Sequence, residues 1–395
     1  MPILHEYETL PVELTRAQAE ALFATGVVDV RPSSDGRWLV TAGAHVGTLV
    51  VDGVELLIRP KIRPENLFLL LEPGLPDIAW RDEAFDYDHS SDLLPAVIGV
   101  FARAVETTLG SGLFRSYQHR QDSLVAMRGR LDMAEQFTRA GLMTPVACAF
   151  DEFTENVPEN RALRAAIRAG LRVPLISPET RRRLMQHLVA LDGVPDVVVR
   201  PDEIQRIHLT RLNEHYGPAL RLAELILSNL SLVDSRGRTR ASTFVVNMND
   251  LFQRFVTERL GRELRGQLVV EREPAVHLGE HGQVRMNPDL VFRTPGGRRC
   301  NVGDVKYKIA LGARGRSDDY YQLLAYTTSL DLPAGMLIYC RRRDDAVQKP
   351  VTVRNADKVL HVRAIDLSGT PEDVEREISG LARFVEETAS RSSAY

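Results

Sequence analysis

The chain has 395 residues, 44% hydrophobic and 26% charged, with a formal net charge of −3. That length suits two or three domains of an ordinary globular protein. The near-neutral balance excludes a global basic field, so any nucleic-acid contact must come from local clusters or from a partner that supplies charge.

The first residues, Met1 to Glu8, lack the basic start and apolar run of a signal peptide. No apolar stretch reads as long enough to span a bilayer, so no membrane partner is expected. Cys148, Cys300 and Cys340 are far apart and none has CxxC spacing. That argues against a zinc finger or a disulfide framework and fits a cytoplasmic protein.

Residues 1–85 read as a β-rich domain. Thr15 followed by Gln18 is a capping-box pattern that starts a short helix. Strand-like runs follow at 27–31, 38–41, 47–51 and 54–59. Asp52-Gly53, between the last two, signals a two-residue hairpin. Residues 86–238 read as a helical connector, with helix-like apolar spacing over 93–109, 159–171, 178–191 and 218–230. Prolines around 174–178 and 195–201 break this region.

Residues 239–395 read as a third domain. A short strand at 243–246 precedes a helix capped by Asn249 or Asp250, with Phe252, Phe255, Val256 and Leu260 along one side. Strands are expected at 267–271, 285–292 and 299–307. A helix over 318–329, strands at 335–339 and 361–366, and a closing helix from Pro371 follow. The order αβββαβ implies a mixed sheet flanked by helices. The fold class is α/β, in the α+β multidomain sense.

The chemistry concentrates in residues 287–308. Asn287-Pro288-Asp289-Leu290-Val291-Phe292, a turn at 294–297 and Gly303-Asp304-Val305-Lys306 read as a hairpin. Asp304 and Lys306 are two apart on a strand, so they point the same way. Two carboxylates and an ammonium converging on one face suit a divalent cation and a phosphodiester. Asp289 and Asp304 are the expected metal ligands, and the Val305 carbonyl a further one. Lys306 would neutralise charge near the scissile phosphate or orient the attacking water. Asp-x-Lys alone is common on solvated strands; the combination is more specific.

This pattern resembles the PD-(D/E)xK nuclease superfamily. Gln322 and Tyr326, four apart on the following helix, resemble the Gln-x-x-x-Tyr helix of its RecB-like branch, which implies that they support the active site or touch DNA. An ordered series narrows the resemblance: Arg59-Pro-Lys-Ile, Arg128-Gly-Arg-Leu-Asp132, Cys148 to Thr154, Glu159-Asn-Arg-Ala-Leu163, Asn247 to Phe252 and Lys306-Tyr-Lys308. Together they are similar to the McrC family, the endonuclease subunit of the McrBC modification-dependent restriction system. The resemblance implies a C-terminal PD-(D/E)xK domain that cuts double-stranded DNA with Mg²⁺, Mn²⁺ being a possible substitute. It also implies an N-terminal part that docks into a hexameric AAA+ GTPase, McrB, and stimulates its GTP hydrolysis. Recognition of modified cytosine would belong to McrB. No Gly-x-x-x-x-Gly-Lys-Ser/Thr occurs here, so GTP would act only through the partner.

One position departs from the family. Many members carry Phe-Glu in the helix before the nuclease sheet, where this chain has Phe252-Gln253. Either Glu258 takes over as the helix carboxylate or the helix contributes none, and Glu271 or Glu273 is a candidate outer ligand. The alternative is a non-catalytic adaptor that assembles and activates the GTPase ring; Gln253 is the feature that favours it. Among the basic clusters, Arg314 and Arg316 are the expected DNA-backbone contacts, because their loop should open beside the metal site. Arg128 and Arg130 are candidate contacts to the GTPase.

Overall fold

A computed structural model describes residues 1–71, 93–138, 144–173, 176–234, 243–309, 317–341 and 349–391. The chain forms two compact units, one of Met1–Leu93 with Arg238–Tyr395 and the other of Leu94–Gly237. The expected first and third domains therefore share one unit, which the second interrupts in sequence.

Strands β1 (Ile3–His5) and β2 (Thr9–Val12) precede helix α1 (Arg16–Phe23), whose Thr15–Gln18 capping box forms. Then come β3 (Val28–Pro32), β4 (Trp38–Ala42), β5 (His45–Val51) and β6 (Val54–Arg59). Asp52 at φ 51° and Gly53 at φ 79° are both left-handed, as the two-residue turn between β5 and β6 requires. Leu4, Leu22, Val40, Leu49, Leu56 and Ile58 form the core of this region. Helix α2 (Pro64–Leu71) follows; its buried Asn66 donates to the carbonyls of Leu367 at 2.8 Å and Gly369 at 2.9 Å.

The second unit begins with α3 (Leu93–Gly110), which is long and apolar enough to cross a membrane by length and composition alone. The expectation that no stretch reaches that length is corrected here. The helix is nevertheless 67% buried inside the protein, as a core helix would be. Next, β7 (Ser116–Leu124), β8 (Arg130–Leu131), the short helix α4 (Met133–Phe137) and β9 (Val146–Thr154) form a β-rich excursion. The strands make a three-stranded sheet in the order β7-β9-β8, within what the sequence reads as a helical connector. Helices α5 (Pro158–Leu171), α6 (Pro178–Ala190), α7 (Pro201–Gln205) and α8 (Gly217–Asp234) complete the unit.

The chain then returns to the first sheet. β10 (Phe244–Asn247) pairs antiparallel with β5, closing a four-stranded sheet of order β1-β6-β5-β10. Gly47, at φ 127°, permits the close approach, because a Cβ there would collide with the Phe244 carbonyl. Asn247 caps α9 (Met248–Glu263), two to three residues before the expected cap. Strands β11 (Val269–Arg272), β12 (Val276–Leu278), β13 (Val284–Met286), β14 (Leu290–Arg293) and β15 (Arg299–Ile309) follow. Helix α10 (Ser317–Ser329) leads to β16 (Ala334–Arg341), β17 (Val351–Val353), β18 (Lys358–Asp366) and the closing helix α11 (Pro371–Arg391).

The resulting six-stranded sheet has the order β11-β14-β15-β16-β18-β17. β14 and β15 are antiparallel, whereas β15, β16 and β18 run parallel. On one face, Val291, Val302, Leu337 and Tyr339 pack with Leu323 and Tyr326 of α10. Helices α9 and α11 cover β15 from the other side, where Phe252 meets Tyr307 edge to face at 5.9 Å.

Candidate active site

The site forms where β14 stops and β15 continues. The ladder pairs Leu290 with Gly303, so β15 beyond Gly303 has lost its antiparallel neighbour. Asp289, just before β14, fills the vacated edge: its Oδ2 accepts the Val305 N–H at 2.6 Å. Residue N–H and C=O groups point to the same side of a strand, so the Val305 carbonyl faces that edge too. Asp304 is 1% exposed. Its Oδ2 forms an ion pair with Lys306 Nζ at 2.8 Å, two residues along the same face. Asp304 Oδ1 is buried with no hydrogen-bond partner among the described residues. Buried carboxylate oxygens are costly unless something satisfies them.

Helix α10 closes the site from above. Tyr326 donates to the Asn287 carbonyl at 3.3 Å, and Gln322 Nε2 donates to the Tyr326 hydroxyl at 2.7 Å. The Gln-x-x-x-Tyr pair is thus a hydrogen-bonded couple fastened to the segment that presents Asp289. Helix α9 contributes Gln253, whose Nε2 donates to Asp289 Oδ1 at 3.0 Å and to Glu273 Oε1 at 2.9 Å. At 100° per residue, Glu258 stands roughly 140° around the helix axis from Gln253. It therefore faces a different side of α9 from the Gln253–Asp289 contact. Glu271 is engaged with Arg293 at 2.7 Å. Arg314 and Arg316 lie outside the described residues.

The electrostatics follow from this burial. Asp289 is pushed up to about 7, first by burial and then by the Asp304 charge. Asp304 is also raised, chiefly by burial, although Lys306 opposes the shift. Burial alone would lower Lys306, but Asp304, Asp289 and Asp319 together raise it, so it stays an ammonium. Tyr326 is pushed up to about 12 by burial and then by Asp304. A carboxylate raised by burial and by a neighbouring negative charge is stabilised in its charged form by a nearby cation. Among the described residues, no group of three or more His, Cys, Asp or Glu side chains could hold an ion. Any cation here would use the two aspartates, the Val305 carbonyl and water. The all-oxygen donor set fits a hard divalent ion.

Two contributors were not legible beforehand. Asp319, in the first turn of α10, is buried and accepts the Tyr339 hydroxyl at 2.7 Å. Tyr339 is the register partner of Lys306 on β16, which places this third carboxylate close to the lysine. Its one sequence signal was its place three residues before Gln322. From the N-terminus, Tyr7 donates to the Tyr307 carbonyl at 3.0 Å, and Tyr307 donates to Glu6 Oε2 at 3.1 Å. Nothing local in the sequence links residues 6 and 7 to residue 307.

The basic cluster of the second unit is largely neutralised. His119 pairs with Asp151, Arg120 and Arg128 with Glu152, and Arg115 with Glu155. Arg128 also stacks on Phe150, 4.3 Å from the ring centre. Cys148, Cys300 and Cys340 are buried and form no disulfide.

Comparison with known proteins gives the family. The chain is similar to one in the refined half-complex from the tetradecameric assembly of Thermococcus gammatolerans McrB AAA+ hexamers with bound McrC. The two are 19% identical with a TM-score of 0.52, over 96% of this chain and 99% of that one. At that identity the likeness is one of fold. A chain of the cryo-EM structure of the Thermococcus gammatolerans McrBC complex is 23% identical, over 67% of this chain and 88% of that one, with a TM-score of 0.43. No curated protein matches. A family model, the McrBC 5-methylcytosine restriction system component, matches residues 40–340. That span is most of the protein, and the chain therefore belongs to the McrBC 5-methylcytosine restriction system component family.

Proposed function

We propose that this restriction-system component is the Mg²⁺-dependent DNA endonuclease subunit of a cytoplasmic, GTP-dependent complex directed at modified cytosine. The observation that carries the reading is the buried Asp304 beside the half-buried Asp289 at the open edge of β15, with an unpartnered Asp304 oxygen and a charged lysine next to them. Asp289, Asp304 and the Val305 carbonyl would hold the ion. When bound, Mg²⁺ would polarise a phosphoryl oxygen and activate water.

The chain's own residues do the rest. Lys306, paired with Asp304 at 2.8 Å, would place a positive charge beside the developing phosphorane. Tyr326 and Gln322 hold the Asn287–Asp289 segment in place. Gln253 orients Asp289 through a neutral donor. Arg314 and Arg316 are proposed to contact the DNA backbone. The partner proposed is an McrB-like AAA+ GTPase hexamer, which the chain stimulates and which supplies GTP hydrolysis; Mn²⁺ is a possible substitute for Mg²⁺.

The test is cleavage of methylated double-stranded DNA by the complex reconstituted with its GTPase. Asp304→Ala should abolish cutting and leave stimulated GTP hydrolysis intact. Survival of both activities would show the site to be misassigned. The adaptor reading is favoured by Gln253, a poor Mg²⁺ ligand; it predicts GTP turnover without nicks at every Mg²⁺ or Mn²⁺ concentration in the wild-type complex.

A further inference from the structure

The distal half of β15 is weakly held by its own sheet. β14 ends opposite Gly303. On the other side the ladder to β16 pairs Lys306 with Tyr339 and then slips before Ile309. Tyr307 falls in that slip, directly after the lysine. Its backbone carbonyl is taken by the Tyr7 hydroxyl at 3.0 Å, and its own hydroxyl donates to Glu6 Oε2 at 3.1 Å. Glu6 is fully buried, and the same oxygen accepts the Lys61 N–H at 2.8 Å. Glu6 N–H in turn donates to the Arg59 carbonyl at 3.2 Å. Tyr7 sits at φ 58°, a left-handed conformation unusual for an aromatic residue. Its N–H bonds the Ala42 carbonyl at 3.1 Å, and Lys61 Nζ lies 5.4 Å from its ring centre. A strained residue fixed by three separate contacts marks a position the fold over-determines, and such positions concentrate where geometry matters for function.

We infer that Glu6 and Tyr7, on the turn after β1, are positioning residues for the nuclease site: they grip Tyr307 at both its carbonyl and its hydroxyl and so fix the backbone that presents Lys306. This rests on the nuclease reading above. The turn supplies the anchoring that a neighbouring strand supplies elsewhere in the sheet. The two grips act differently. Tyr7 replaces a missing ladder bond, whereas Glu6 holds the ring on the face opposite Lys306, where it packs on Phe252.

The test uses the full-length chain in complex with its GTPase, with GTP hydrolysis as the check on assembly. Tyr7→Phe removes one hydroxyl and should lower kcat for DNA cleavage about tenfold, the effect of one lost hydrogen bond, with KM for DNA unchanged. Hydrogen exchange over residues 305–309 should quicken in the isolated chain, while its melting temperature stays close to wild type. Glu6→Ala should slow cleavage similarly. Glu6→Gln, whose amide oxygen can still accept from Tyr307 and Lys61, should restore it. Wild-type cleavage by both Tyr7→Phe and Glu6→Ala, beside an inactive Asp304→Ala, would overturn the positioning role and leave the nuclease reading standing. So would equal losses of cleavage and GTP hydrolysis in Tyr7→Phe. Cleavage that persists in Asp304→Ala would instead overturn the nuclease reading itself.

Discussion

On the β7–β9 ladder, His119 meets Asp151 with side chains 61% and 67% exposed, and Arg120 meets Glu152 nearby. At the end of β15, Asp304 and Lys306 make a pair of the same kind, but the aspartate side chain is 1% exposed. Water screens the first set, so each of those pairs contributes little. The second set is desolvated, which raises both carboxylates and leaves one Asp304 oxygen without a hydrogen-bond partner. Residue type does not separate the two regions; burial does. The ladder is a charged surface whose signs cancel. The strand end holds charge against its own stability, which is the condition under which binding a cation becomes favourable.

The sharpest way to break this comparison is Asp304→Ala, which should reduce cleavage by more than about a hundredfold, at least the effect of removing a single charge-stabilising group from an active site. A gel-based nicking assay beside a GTPase assay reads both activities. Asp289→Asn sharpens it. Activity should be lost, while the metal-free protein should melt a few degrees higher, because the substitution removes a carboxylate that burial and Asp304 both oppose. A lower melting temperature would count against the site as an electrostatic liability.

A smaller effect concerns pH. Glu6 is raised from 4.5 to about 7, mainly by burial. Its folded pKa lies above its unfolded value, so its contribution to stability is full below about pH 4.5. That contribution is lost as pH rises through about 7. Metal-free melting curves between pH 5 and 8 should therefore slope downward, and Glu6→Gln should flatten the slope. The smallest effect is expected on the ladder. Asp151→Ala should move the melting temperature by no more than about 2–4 °C, and its effect should fade in high salt. A large shift there would mean that the exposed pairs are not as screened as their setting implies.

Much of the six-stranded sheet was legible in the sequence because its signals are local. Asp304 and Lys306 share a face by the period of a strand, and Gln322 and Tyr326 by the period of a helix. Asp52-Gly53 specified its own turn. Strand β7 was missed because Ser116–Leu124 is polar on both faces, so no alternation marks it. The expected strand over 285–292 proved to be two, β13 and β14, parted by the Asn287–Asp289 turn that carries the chemistry. Gln253 was noticed as a departure, but its bridge from Glu273 to Asp289 depends on tertiary packing. Glu6, Tyr7 and Asp319 act on partners 20 to 301 residues away, beyond the reach of any spacing rule.

Strand β10 sets a limit on how the polypeptide can be divided. It lies after the second unit in sequence and leads straight into the helix bearing Gln253, yet its hydrogen-bonding neighbour is β5, near the other terminus. A fragment begun at residue 239 would abandon that neighbour and keep an unmatched edge, a ready site for self-association. The C-terminal part that bears the candidate site is therefore not a transplantable cassette. Recombination or engineering that exchanges one terminus must carry the other with it.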